Sequence, residues 1–236
     1  EQSKNFSQEA LNRHAATMRM RGRPKVVLAR TYEEAQKLYD KYSDNTLGVI
    51  SDARFPLKSA AKAFGNEVMP EEKPKHRTDT FGREKCPDAG LQLFRYIRKN
   101  DPFVPLIIES SESENRAKAE AEGFRFVDKN SKKMSVDLRR LMEEHMGFGD
   151  FIFRDPKTHE EIMRIHSLKE LQDNIFNIPN DSMLYHISRN HMSRWLCARA
   201  IFPVSAFLKH VTWEKLQDTF TQVSTTEEAA AVLRST

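Results

Sequence analysis

Three residues of this chain have types and settings suited to one chemistry. Asp52 closes the run Leu47-Gly-Val-Ile-Ser51, Ser110 follows Pro105-Leu-Ile-Ile-Glu109, and Lys129 stands just after Phe124-Arg-Phe-Val127. Each run is short and mostly apolar, the pattern of a strand in a parallel sheet covered by helices. In such sheets the carboxyl ends of the strands share one edge, where ligand sites form. A carboxylate, a hydroxyl and an ammonium on one edge suit phosphoryl transfer. The carboxylate attacks phosphorus, and the other two groups hold the phosphoryl oxygens. A divalent metal held by further carboxylates usually neutralises the developing charge.

The elements that must position these residues are legible around them. Residues 4–20 predict a helix, with Phe6, Ala10, Leu11, His14 and Met18 at helical spacing. Lys25-Val-Val-Leu-Ala29 predicts a strand. Thr31 with Glu34 three residues on is a capping box opening a helix to Tyr42. The strand ending at Asp52 comes next, so a βαβ unit with a parallel pair is expected here. Residues 57–87 form a long polar insertion carrying Pro70, Pro74 and Pro87. It leaves the sheet beside Asp52, where a lid is one reading and a tolerated surface insertion the favoured one. Asp88 is an expected cap for the helix Ala89–Arg98, whose buried face is Leu91, Leu93, Phe94 and Ile97. A helix over 113–122, closed by Gly123, precedes the last strand, and an amphipathic helix spans 134–146.

Composition changes at Gly147-Phe148-Gly149. Residues 150–154 and 161–165 predict a hairpin around Asp155-Pro-Lys-Thr158. Ser167 caps a short helix, a longer helical stretch covers about 182–209 with a break at Pro203, and 213–234 offer one or two more helices. Arg189, Arg194 and Arg199 stand among His186 and His191, a set that suits either phosphate binding or structural roles. The structural reading is favoured, and the five-residue histidine spacing does not favour a metal on one helix face.

The bulk numbers bound the rest. The 236 residues allow one or two domains, divided here into 1–146 and 147–236. No apolar run approaches the roughly 18 residues of a membrane span. Two widely separated cysteines, Cys86 and Cys197, argue against a disulfide framework and fit a reducing cytoplasm. Lys and Arg total 38 but are interspersed with 34 acids, for a net charge of +4. That balance argues against a nucleic-acid surface. Self-association as a homo-oligomer is left open.

Taken in order, these residues resemble the receiver domains of two-component response regulators over about residues 4–146. Asp52 with Pro56 four residues on is similar to the phosphoacceptor and its following proline. Ser110-Ser111 resembles the switch hydroxyl and its small neighbour, Phe126 the aromatic switch, and Lys129 the family's lysine. The resemblance implies an α/β, flavodoxin-like parallel sheet with flanking helices, followed here by a smaller, mostly α module with a hairpin. It implies Mg²⁺ at Asp52, held with two acids of a first strand. That strand is expected ahead of the 4–20 helix, before Glu1, so Asp52 is expected to be only a partial metal site. Asn130 stands where the family has proline.

The stretch Gly147–Leu208 further resembles the segment joining a receiver-like region to the catalytic part of pyruvate phosphate dikinase or phosphoenolpyruvate synthase-like proteins. The expected role is then a regulatory, signalling region. It accepts phosphate on Asp52 from a phosphodonor kinase, or serves as a degenerate interaction module, and acts on downstream catalytic domains. The segment itself is not expected to be catalytic. The alternative is a response regulator with a helical DNA-binding output, for which no clear helix-turn-helix is present.

Overall fold

A computed structural model describes residues 24–58, 78–79, 83–209, 211 and 225–235. The expected helix over 4–20, most of the insertion and 212–224 lie outside the described residues. The chain divides into two compact units, whose described parts are within 25–137 for the first and are Pro24 with residues within 138–235 for the second. The division falls inside the helix Met134–His145.

In the first unit, α1 spans Tyr32–Tyr42. Its capping residue is the expected Thr31, whose Oγ1 accepts from the Glu34 N–H at 3.2 Å. The returning Glu34 carboxylate accepts from Arg30 N–H, one residue earlier than a capping box requires. The sheet follows: β1 is Val49–Asp52, β4 Leu106–Ser110 and β5 Arg125–Asp128. Its order is β1-β4-β5 and both pairs are parallel. The connections carry α2, Ala89–Asn100, and α3, Glu114–Ala121. Every residue of β4 is buried, as the central strand of a covered sheet must be.

The core of this unit joins Tyr39 of α1, Leu91, Phe94 and Ile97 of α2, Leu106 and Ile108 of β4, Ala119 of α3 and Phe124. Phe94 and Phe124 meet edge to face, ring centres 5.3 Å apart. At the end of α3 the Gly123 N–H donates to Glu120 O and the Phe124 N–H to Ala119 O. Gly123 takes φ +74°, so the predicted helix stop has its expected geometry.

The expected strand over 25–29 is corrected. These residues carry no regular structure, and among the described residues nothing pairs with them. Val27 and Leu28 are half exposed, at 55% and 50%. An apolar run becomes a strand only when a neighbour takes its backbone N–H and C=O groups. The βαβ unit expected over 25–52 is therefore absent among the described residues, and the parallel pairs come from β1, β4 and β5.

The insertion is pinned at its root. β2, Phe55–Pro56, pairs antiparallel with β3, Lys85–Cys86. Thr78 bridges Glu84, and Arg83 forks onto Asp79, with Nη2 2.6 Å from Oδ2.

The helix at the division is α4, Met134–His145. In the second unit β6, Phe151–Arg154, and β7, Glu161–Ile165, form the predicted hairpin. Asp155 accepts from the Lys157 and Thr158 N–H groups at its turn, which holds its carboxyl below the usual range. Helices follow: α5 Leu168–Asn174, α6 Asn180–Ser188, α7 His191–Cys197, α8 Phe202–Leu208 and α9 Thr226–Ser235. Ser167 caps α5 as expected.

The long stretch over 182–209 is three helices, not two. The breaks fall at Asn190, φ +58°, and Ala200, φ +61°. Pro203 sits in the first turn of α8, where it starts a helix instead of ending one. The core is Phe151, Phe153 and Ile165 of the hairpin against Ile178, Met183, Ile187, Trp195 and Leu196.

Candidate functional site

The sheet brings the three predicted residues to one edge. Asp52 pairs in register with Glu109, Ser110 pairs with Asp128, and Lys129 follows immediately. The Lys129 N–H donates to Ser110 O at 2.9 Å, so the residue after β5 is tied to the end of β4. Asp52 and Lys129 stand on opposite sides of β4. The lysine reaches across it, and its Nζ forms an ion pair with Asp52 Oδ1. Both side chains stay partly solvent-accessible, at 31% for Asp52 and 20% for Lys129. A half-buried pair of this kind is reachable by a solute, unlike a sealed one.

Ser110 is the last residue of β4, not the first after it as the sequence pattern predicts. Its Oγ accepts two hydrogen bonds from the head of α3, from Asn115 Nδ2 at 2.9 Å and from the Glu112 N–H at 3.1 Å. Asn115 is 4% exposed and shares the buried face of α3 with Ala119, four residues on. Glu112 is held in turn by Arg54, whose Nη2 lies 3.0 Å from Glu112 Oε1. That ion pair joins the loop after Asp52 to the loop after Ser110.

Phe126 lies on β5, half-buried, with the Arg116 guanidinium of α3 stacked 4.7 Å from its ring centre. Asn130 donates from Nδ2 to Ser111 O at 2.8 Å and links the loops after β5 and β4.

The backbone beneath Asp52 is supported by α2. The Gly90 N–H donates to Ala53 O at 3.0 Å, and a Cβ on Gly90 would lie 2.4 Å from Asp52 O. Only glycine permits that approach. The expected cap Asp88 makes no side-chain capping bond and instead pairs with Lys118 at 3.3 Å. Gly90, Asn115, Arg54 and Glu112 escape sequence reasoning. The one available signal is Asn115 at helical spacing from Ala119, a polar residue on an inward face.

Among the described residues no group of three or more His, Cys, Asp or Glu side chains is placed to hold a metal ion. The Lys129 ammonium already lies on the Asp52 carboxylate. The described residues therefore do not by themselves make the Mg²⁺ site that the resemblance implies.

In the second unit the histidines and arginines hold structure. The Arg154 N–H donates to His186 Nε2 at 2.9 Å, so neutral His186 carries its proton on Nδ1. That proton points at His191 Nδ1, 3.0 Å away. Burial, reinforced by Arg154 and Arg189, lowers the His186 pKa to about 4. Burial also lowers the His191 pKa, to about 3, with Arg194, His186, Arg189 and His145 adding to it. Its one lone-pair nitrogen, Nε2, already accepts from the Arg154 N–H, so His186 has no nitrogen left for a metal. Arg199 stacks 3.8 Å from the Trp195 ring centre and donates to Gly147 O and Gly149 O, both at 2.8 Å. Burial lowers its pKa to about 10 against the pull of Asp150. Arg194 donates to Arg189 O, and Arg189 covers Tyr185.

No family model, curated protein or solved structure matches the chain.

Proposed function

We propose that the first unit is a receiver-like phosphoryl-accepting domain with Asp52 as the acceptor. The observation that carries this reading is the shared edge of a parallel sheet, where Lys129 pairs with Asp52 and Ser110 closes the central strand. An Asp52 oxygen attacks the phosphorus of a phosphodonor such as a kinase phosphohistidine. The bond from phosphorus to the donor breaks, the donor leaves with its electron pair, and an acyl phosphate forms. Lys129 then turns its ammonium from the carboxylate to a phosphoryl oxygen, which preserves its charge pairing through the transfer. Asp52 and Lys129 are the reacting and charge-binding residues, and Phe126 is the reporter on the α3 side. In this reading Mg²⁺ takes no step through the described residues, so the test is run with and without it.

The output belongs to the same proposal. The second unit carries the signal to catalytic domains of a dikinase-type phosphotransferase, which the likeness of Gly147–Leu208 to that linking segment supports. A DNA-binding output is the competing one. In the second unit Arg194 and Arg199 are engaged with backbone carbonyls, which leaves them unsuited to reading base edges. A gel shift with steep salt dependence would favour DNA instead.

A second reading rests on the Lys129–Asp52 ion pair: a static pair with no phosphoryl step, in a module used for protein contacts. Incubation with acetyl phosphate separates the two. A gain of one phosphoryl mass, lost in Asp52→Asn and strongly reduced in Lys129→Ala, is the expected result. An unchanged mass in the wild-type chain, with and without Mg²⁺, favours the contact module.

A further inference from the structure

We infer that Asn115 is a positioning residue that makes Ser110 an obligate hydrogen-bond donor to an oxyanion on Asp52; this rests on the phosphoacceptor reading above. A serine hydroxyl has one proton to donate and two lone pairs to fill. Both lone pairs of Ser110 are taken, by Asn115 Nδ2 at 2.9 Å and by the Glu112 N–H at 3.1 Å. The only capacity left to this hydroxyl is donation. A residue in that state can serve an acceptor such as a phosphoryl oxygen and cannot serve a cation or a further donor.

Asn115 is built for this task. It is 4% exposed on the inner face of α3, and Ser110 is 7% exposed. A buried amide on a face otherwise held by Ala119 costs free energy unless its donors and acceptor are used. An apolar residue would pack there without that cost. Asn115 also reaches Glu112 Oε2 at 3.3 Å, and Arg54 holds the same carboxylate from the loop beyond Asp52. The second donor to Ser110, the Glu112 N–H, is thus held in place by Asn115 and Arg54 together. Two donors on Ser110 also strengthen its remaining O–H as a donor, because hydrogen bonds in series polarise one another.

The test reverses the donor. Asn115→Asp keeps the shape of the side chain but replaces the NH₂ donor with an acceptor. Ser110 would then give its proton to that carboxylate, and an anion on Asp52 would face an added negative charge. Binding of beryllofluoride, an acyl-phosphate mimic, is measured with and without Mg²⁺ for wild type, Asn115→Asp, Ser110→Ala and the double variant. The wild type is expected to bind, and Asn115→Asp to bind on the order of tenfold or more weakly, the scale of a hydrogen bond to a charged group. In the Ser110→Ala background the Asn115 change is expected to add little, since Asn115 acts through Ser110.

Asn115→Ala, which introduces no buried charge, serves if Asn115→Asp does not fold. It is expected to weaken binding several-fold, again only when Ser110 is present. Wild-type affinity in both Asn115 variants, or a loss that adds fully to that of Ser110→Ala, overturns the inference and leaves the phosphoacceptor reading standing. Failure of the wild type to bind overturns the reading itself, and the inference with it.

Discussion

At the scale of single residues, neighbours decide what a side chain does. His186 and His191 are both neutral in the folded protein because burial and surrounding arginines oppose a second charge. Their folded pKa values, about 4 and about 3, lie below the ordinary histidine value of about 6.5. The unfolded chain therefore binds protons first as pH falls. Stability of the second unit is expected to be full above about pH 6.5 and to decline as pH falls from that value to about pH 3, most steeply above about pH 4 where both histidines contribute. His186→Gln, which keeps an acceptor for the Arg154 N–H, should flatten the decline. Tryptophan fluorescence reports on this unit through Trp195, which is buried in its core. A urea midpoint that does not move between pH 7.5 and pH 5 would refute the expectation. Asp52, by contrast, is legible from sequence: a carboxylate after an apolar run needs no neighbour to be noticed. Asn115 is not, because its meaning lies in the hydroxyl it touches.

At the scale of elements, close approaches set the site. α2 begins against the tip of β1, with Gly90 where a Cβ would meet Asp52 O at 2.4 Å and Ala53 Cα at 3.2 Å. Both are backbone atoms and have no rotamer to change. Gly90→Ala is expected to push α2 away from the Asp52 backbone and to cost about 1–3 kcal/mol, the scale of overpacking. Chemical denaturation measures the cost, and amide shifts at Asp52, Ala53 and Ser110 should report the displacement. An unchanged midpoint with unchanged shifts would count against it. Helix starts at Thr31 and Ser167 and the stop at Gly123 were readable because their bonds are local in sequence. The break at Asn190 was not, since a left-handed asparagine inside a helical pattern leaves no periodicity to detect.

At the scale of the whole molecule, the described residues form two cores, each with its own aromatic centre. Phe94, fully buried against Phe124, anchors the first, and Trp195, tied by Nε1–H to Gly149 O at 3.0 Å, anchors the second. Phe94→Ala is expected to destabilise the first unit by about 3–5 kcal/mol, the cost of a large core deletion. It should be read as faster hydrogen exchange at the β4 amides; protection equal to wild type would sink it. The sequence by itself determined the elements and the order of the chemistry along the chain. Helical periodicity and apolar runs are short-range signals, so α2, β4, β5 and the hairpin could be read directly, while the cap at Asp88 and the strand end at Ser110 shifted in the fold. Only the tertiary structure decided which runs become strands. Residues 25–29 are the more apolar run, yet 49–52 found a ladder on β4 and 25–29 found none among the described residues. Only the tertiary structure, too, laid Lys129 on Asp52 and turned Asn115 toward Ser110. Ladder pairing links residues some 57 positions apart, as in Val49 with Leu106, and the Lys129–Asp52 ion pair spans 77. No local pattern encodes a contact at that range, because its free energy exists only once the intervening chain has folded.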